Sequence, residues 1–161
     1  YCQDNEISWL DWSLIEKHGD IHRFVRQLVR LYTGRALPKD VHTISLDEVL
    51  HHAQIQWHGV KLNHPDWGDD SRSIAYTVRG LSGRFLIHLM LNAFWDALEF
   101  ELPDMGERMD DGWHRLIDTS LKSPDDIRDW TSASVIAGST YLVQARSAVT
   151  LFARVPNGSP R

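Results

Sequence analysis

The sequence predicts a mainly β protein: an antiparallel β-sandwich over residues 54–155, entered through a single amphipathic helix over residues 20–33. Three observations predict it. Apolar residues ahead of residue 35 recur with the 3.6-residue period of a helix, whereas those beyond residue 54 alternate with the period of two that a strand requires. Clusters of Gly, Asn, Asp and Ser divide the alternating part into short segments, with no helical pattern between them.

The helix rests on Ile21, Phe24, Val25, Leu28, Val29 and Tyr32, which form one apolar stripe, with Arg23, Arg26, Gln27 and Arg30 on the other side. Asp20 is placed to cap its N-terminus, Gly34 to end it, and Pro38 prevents its continuation. Ahead of it, Trp12 to His18 reads as a short helical turn closed at Gly19. Residues 37–53 show no sustained period and read as a linker with one short helical turn at Ser45 to His51.

The strands follow in order. Ile55 and Trp57 alternate with polar neighbours, then Ile74, Tyr76 and Val78 do the same. Phe85, Ile87, Leu89 and Leu91 oppose Leu86, His88 and Met90, the pattern of a central strand buried on both faces. Leu98, Phe100 and Leu102 alternate with Glu99 and Glu101, and segments at 113–117, 141–145 and 149–153 complete the set. Turns fall at Asp69-Asp70, Gly80 to Gly83, Asn92 to Asp96, Asp104 to Gly112 and Gly138-Ser139. Lys122 to Ala133 reads as a surface excursion.

Composition excludes several functions. The 17 basic and 22 acidic residues give a net charge of −5, against the basic face that a nucleic-acid partner needs. No apolar run approaches the roughly 18 residues of a membrane span. The single Cys2 excludes an intrachain disulfide and fits a reducing, cytoplasmic setting. His51 and His52 are adjacent, so they point apart and find no partner at metal-ligand spacing; no metal and no cofactor are expected. Ser8, Ser13 and Ser147 sit in no nucleophile elbow, and no glycine-rich phosphate loop occurs. Asp4 and Glu6, two residues apart, can share one side of an extended segment as a glycosidase pair would, or serve as solvated acids at a helix entry. Of the seven Trp, Trp67, Trp95 and Trp130 lie in or beside loops, where they either stack on sugar rings or close the ends of the core.

The opening "YCQDNEISWLDWSL" resembles the segment after the eighth barrel strand of debranching enzymes of the α-amylase superfamily, the isoamylase or glycogen-operon type. "DIHRFVRQLVRLY" is similar to the last barrel helix of that family. "WHGVKLNHPDWGDDSRSIAYTV", "LIHLMLNAFWDALEFELP", "GWHRLIDTS" and "YLVQARSAVTLFAR" follow in the order of its C-terminal sandwich. "RLYTGR" departs from it, since relatives carry a longer arginine-rich run there.

The resemblance implies a division into 1–36, the end of a catalytic (β/α)8 barrel with its last helix; 37–53, a linker; 54–155, an amylase-type C-terminal β-sandwich; and 156–161, a tail. A chain that opens on Tyr1, with neither Met nor a signal segment, is then expected to be cut from a longer one. The resemblance also implies a parent that hydrolyses α-1,6 branch linkages of glycogen or starch-type glucans. The chain's partners would be its own upstream barrel and branched α-glucan, with no nucleic acid or membrane. The family's catalytic carboxylates belong to earlier barrel strands and their motifs are not found, so no catalytic residue is assigned. Tyr1, Gln3, Asp4 and Asn5 match the loop that edges the glucan site. Two roles for the sandwich stay open: a scaffold for the barrel, or a carbohydrate-binding module using Trp67, Trp95 and Trp130 as platforms. In either case the helix stripe is expected to dock partly on the sandwich.

Overall fold

A computed structural model describes residues 2–33, 54–79, 85–104 and 112–155. Tyr1, the linker with its expected turn at Ser45 to His51, the turn at Gly80 to Gly83, most of the Asp104 to Gly112 turn and the 156–161 tail lie outside the described residues.

Two helices come first, α1 (Leu14–Lys17) and α2 (Gly19–Tyr32). The sequence places Asp20 as the cap of α2, but the helix begins at Gly19, with His18 in the cap position. The two helices are nearly continuous: His18 N–H closes α1 on the Leu14 carbonyl, and the His18 carbonyl accepts from His22 N–H at 3.0 Å. Backbone therefore does the capping, and Asp20 lies in the first turn, where its negative charge meets the positive end of the helix dipole.

Among the described residues eight strands follow: β1 (Gln54–His58), β2 (Ser73–Arg79), β3 (Phe85–Asn92), β4 (Leu98–Glu101), β5 (Trp113–Asp118), β6 (Ser134–Ile136), β7 (Thr140–Val143) and β8 (Ser147–Arg154). Six form one antiparallel sheet in the order β1-β2-β3-β8-β5-β6, and β4 pairs with β7 in a second, two-stranded sheet. The expected antiparallel β-rich architecture is present. The period-two pattern explains its core: Ala75 on β2, Leu86 and Met90 on β3, and Val149, Leu151 and Ala153 on β8 share one face. That face closes on Phe100, Leu102, Trp113 and Val143. A bulge between Arg115 and Ile117 breaks the alternation in β5, so that Trp113 and Leu116 are both buried.

Two expectations change. Strand β3 is central, as its apolar run predicts, but it is fully buried on one face only. The small β4–β7 sheet covers that face, and Phe85, Ile87 and Leu89 on the opposite face are half-buried. The 122–133 excursion is anchored rather than purely superficial: Ile127 is buried and bridges to Ile117, and a 3-10 turn follows at Trp130–Ser132. Strand β6, only three residues long, carries too short a pattern to be read from sequence.

Helix α2 meets the sandwich along one edge of its stripe, at Phe24, and leaves the rest of the stripe exposed, in line with the partial docking expected. Its half-buried residues are Arg23, Phe24, Gln27 and Leu31, and Arg23 forms an ion pair with Asp126 of the excursion. Ile21, Val25, Leu28 and Val29 remain 42–58% exposed. The cause lies in what the sandwich offers there. The cleft between them, about 590 Å³, is lined on the helix by Asp20, Ile21 and Phe24 and on the sandwich by Thr119, Leu121, Lys122, Ser123 and Asp126, a mostly polar set with little apolar surface to cover the rest of the stripe.

Candidate functional site

The N-terminal loop brings Gln3, Asp4 and Asn5 together. Asn5 Oδ1 accepts from Ile7 N–H at 3.1 Å, making a side-chain-closed turn, and Asn5 Nδ2 donates to Gln3 Oε1 at 3.1 Å. The Ser8 hydroxyl donates to the Gln3 carbonyl, and Trp9 Nε1 donates to Asp4 Oδ1 at 2.5 Å. These polar side chains thus fix the loop's own shape, and Asp4 and Glu6 do not flank an extended segment: residues 6–8 form a turn, and Asp4 is paired with the Trp9 indole. The loop offers amide and carboxylate edges for hydroxyl groups rather than a placed acid/base pair.

The three loop tryptophans separate in character. Trp130 is half-buried, 4.6 Å from the Phe152 ring and 4.8 Å from His114, with the Arg154 guanidinium 5.3 Å from its ring. It closes the open sheet face over β8. Trp95 is 66% exposed, supported on one side by Phe94 at 4.3 Å. Its loop is pinned by buried Asn92, whose Nδ2 donates to the carbonyls of Asp96, Val143 and Gln144 and whose Oδ1 accepts from Phe94 N–H.

Trp67 is 63% exposed and meets Trp57 edge-on, at 5.4 Å and 70°. The turn that carries it lies tight on β1: an added Cβ at Gly59 would sit 2.4 Å from the His64 carbonyl oxygen, so glycine lets residues 61–66 fold back. Asp66 Oδ1 then accepts from Gly68 N–H at 3.0 Å and sets the indole on the rim of the sheet. Ala93 N–H donates to the Arg72 carbonyl at 2.8 Å, tying the Trp67 and Trp95 loops to one end of the large sheet. Beside Trp67 opens a cleft of about 370 Å³, lined by Asp66, Ser71, Arg72, Ile74 and Leu91 among others. Sequence reading found Trp67 but not this cleft, which assembles from three segments; Trp57, a strand residue 43% exposed, backs the Trp67 ring from outside the lining.

A buried polar chain was also missed. Asn63 N–H donates to His58 Nδ1, His58 Nε2 meets Thr77 Oγ1, and Thr77 Oγ1 meets His88 Nδ1, each at 2.9 Å. Burial pushes His88 down to about 3, with the neighbouring His58 adding to the shift, and burial also lowers His58. Both rings are neutral and structural. Among the described residues, no three His, Cys, Asp or Glu come together to hold a metal ion, and no helix is long and apolar enough to cross a membrane.

Residues 56–151 match the family described as Isoamylase 1-3, C-terminal. The chain is similar to a "Glycogen operon protein GlgX homolog" of Mycobacterium tuberculosis, with 30% identity over 94% of this chain and 22% of the relative. It is similar to "Isoamylase 1, chloroplastic" of Arabidopsis thaliana, with 29% identity over 78% of this chain and 15% of that protein. A "Glycogen debranching enzyme" of Pectobacterium atrosepticum is 33% identical over 65% of this chain and 15% of its own length. The chain therefore spans about a fifth of the length of the mycobacterial relative.

Proposed function

Because this chain belongs to the isoamylase C-terminal domain family, we propose that it is the non-catalytic C-terminal part of a cytoplasmic glycoside hydrolase that cleaves α-1,6 branch linkages in glycogen or starch-type glucans. In this reading residues 54–155 are a scaffold that buttresses the catalytic barrel, and residues 1–36 are the barrel's last loop and helix. The observation that carries it is the orientation of α2: one edge is held to the sandwich through Phe24 and the Arg23–Asp126 pair, and most of its apolar stripe is turned outward. A helix so presented is suited to a second, apolar body, such as the outer wall of a parallel barrel. Gln3, Asp4 and Asn5, with Tyr1, would then edge the glucan cleft of the parent, whose catalytic carboxylates come from upstream.

The test is the activity of the full-length parent on glycogen and pullulan, measured beside this chain and beside a parent lacking residues 54–155. The intact parent is expected to release linear chains from branch points. This chain alone is expected to release no reducing ends above a blank, because hydrolysis needs two placed carboxyl groups. The truncated parent is expected to melt at lower temperature. An intact parent that leaves branch points uncut, or an isolated chain that hydrolyses glucan, overturns the reading. The exposure of Trp67 and Trp95 favours a second role, contact with glucan by the sandwich itself.

A further inference from the structure

The geometry points to a non-catalytic α-glucan-binding subsite in the cleft beside Trp67, separate from the loop at Gln3 to Asn5; the inference rests on the α-glucan reading of the parent. The cleft joins the two chemistries that a pyranose ring requires. One is an aromatic wall for the apolar C–H face of the sugar. The rings of Trp57 and Trp67 stand at 70°, so whichever ring offers its edge, at least one face of Trp67 is left uncovered by its neighbour. Ile74 and Leu91 extend this wall as an apolar floor. The other is a set of fixed polar groups for hydroxyls. Asp66 commits Oδ1 to Gly68, and its other oxygen can accept from a ligand. Arg72 Nη1 is braced by the carbonyls of Asp69 at 3.3 Å and Ser71 at 3.2 Å, which holds a still half-exposed guanidinium in place. A carboxylate and a guanidinium lining the same cleft as an aromatic can serve sugar hydroxyls at little ordering cost.

The volume of about 370 Å³ lies in the roughly 300–1,000 Å³ range of small-ligand clefts, and the cleft opens to solvent. Trp95 stands on the adjoining loop and Trp130 lies across the sheet against Phe152, so Trp67 is the anchor and the other two are not.

The test is titration with maltoheptaose, followed by amide and indole NMR, of this chain and of the full-length parent. Shifts are expected at the Trp67 indole and at the Gly68, Ser71 and Arg72 amides. Trp67→Ala is expected to weaken binding at least about tenfold, the loss typical of one anchoring aromatic, while Trp95→Ala changes it less than about twofold. If Trp67→Ala disturbs the fold, Arg72→Gln with an intact amide spectrum reads the same cleft and is expected to weaken binding severalfold. Absence of binding, or binding unchanged in both cleft variants, overturns the subsite. So does a Trp67 shielded from iodide in the ligand-free parent, which would assign it to an interdomain contact. Branch-point cleavage by the parent is measured in parallel. An active parent without Trp67-dependent binding overturns the subsite alone; maltoheptaose binding with a parent inactive on branched glucan overturns the activity reading alone.

Discussion

At the residue scale, the most informative group is the His58–Thr77–His88 chain, because its proton arrangement follows from one obligate donor. Asn63 N–H can only donate, so His58 Nδ1 is an acceptor and His58 carries its proton on Nε2. That proton goes to Thr77 Oγ1, whose own hydroxyl then donates to His88 Nδ1. Protonating either ring at the accepting nitrogen destroys a bond in a site that excludes water. With His88 pushed to about 3 in the native state and an ordinary value near 6.5 when unfolded, the unfolded chain binds the extra proton throughout that window. Stability is therefore complete above about pH 6.5 and falls as pH drops toward 3, by up to about 1.4 kcal/mol per pH unit for one histidine. Urea midpoints from pH 8 to pH 5 should show this decline, and His88→Leu should flatten it. Thr77→Val strands a donor and an acceptor together and should cost about 2–3 kcal/mol at pH 7.5. A pH-independent midpoint in the wild type would mean that the chain of hydrogen bonds does not form.

At the scale of elements, α2 tests what holds a helix to a sheet when most of its apolar stripe is not used. Fourteen residues are marginal as an isolated helix. The described attachment rests on Phe24 at the cleft and on the Arg23–Asp126 pair, whose side chains are 27% and 15% exposed. Asp126→Asn should thus raise amide exchange across residues 19–32 while leaving β3 and β8 protected; equal loss of protection in both would make the helix integral to the core. This element also marks the limit of sequence reading. Its existence was legible from Ile21, Val25 and Leu28, and strands β1 to β4, β7 and β8 were legible from alternation, since periodicity reports which face leaves water. Periodicity does not report which body covers that face. The turn of α2 toward Asp126, the one-sided burial of β3 and the cleft at Trp67 all depend on residues far apart in sequence. The buried histidines were hidden for another reason: His88 occupies a core position between Leu86 and Met90, and its partners Thr77 and His58 lie on two other strands.

At the scale of the molecule, the distribution of apolar surface is uneven. The sandwich closes its own core, whereas the first part of the chain exposes Ile7, Trp9, Leu10 and Trp12 and then the α2 residues Ile21, Val25, Leu28 and Val29. Fully burying one such side chain is worth roughly 1.5–3 kcal/mol, so even partial burial of several outweighs the ordering they require. A patch of this kind on a chain in water drives association, and where no other body covers it the accessible partner is another copy. The chain by itself should therefore show concentration-dependent sedimentation. The choice of variant follows from the structure. Phe24 is half-buried at the cleft and helps to hold α2, so changing it would mix attachment with association. Val25 and Leu28 lie on the outward stripe, and Val25→Ser with Leu28→Ser should return the chain to a monomer while the far-UV β-sheet signal and the thermal midpoint of the sandwich stay close to wild type. Loss of the sheet signal in this variant would place the stripe in the core after all. A wild-type chain that sediments as a monomer across a wide dilution series would mean that the stripe is already covered, and the outward-facing helix, together with the barrel-docking role built on it, would have to be given up.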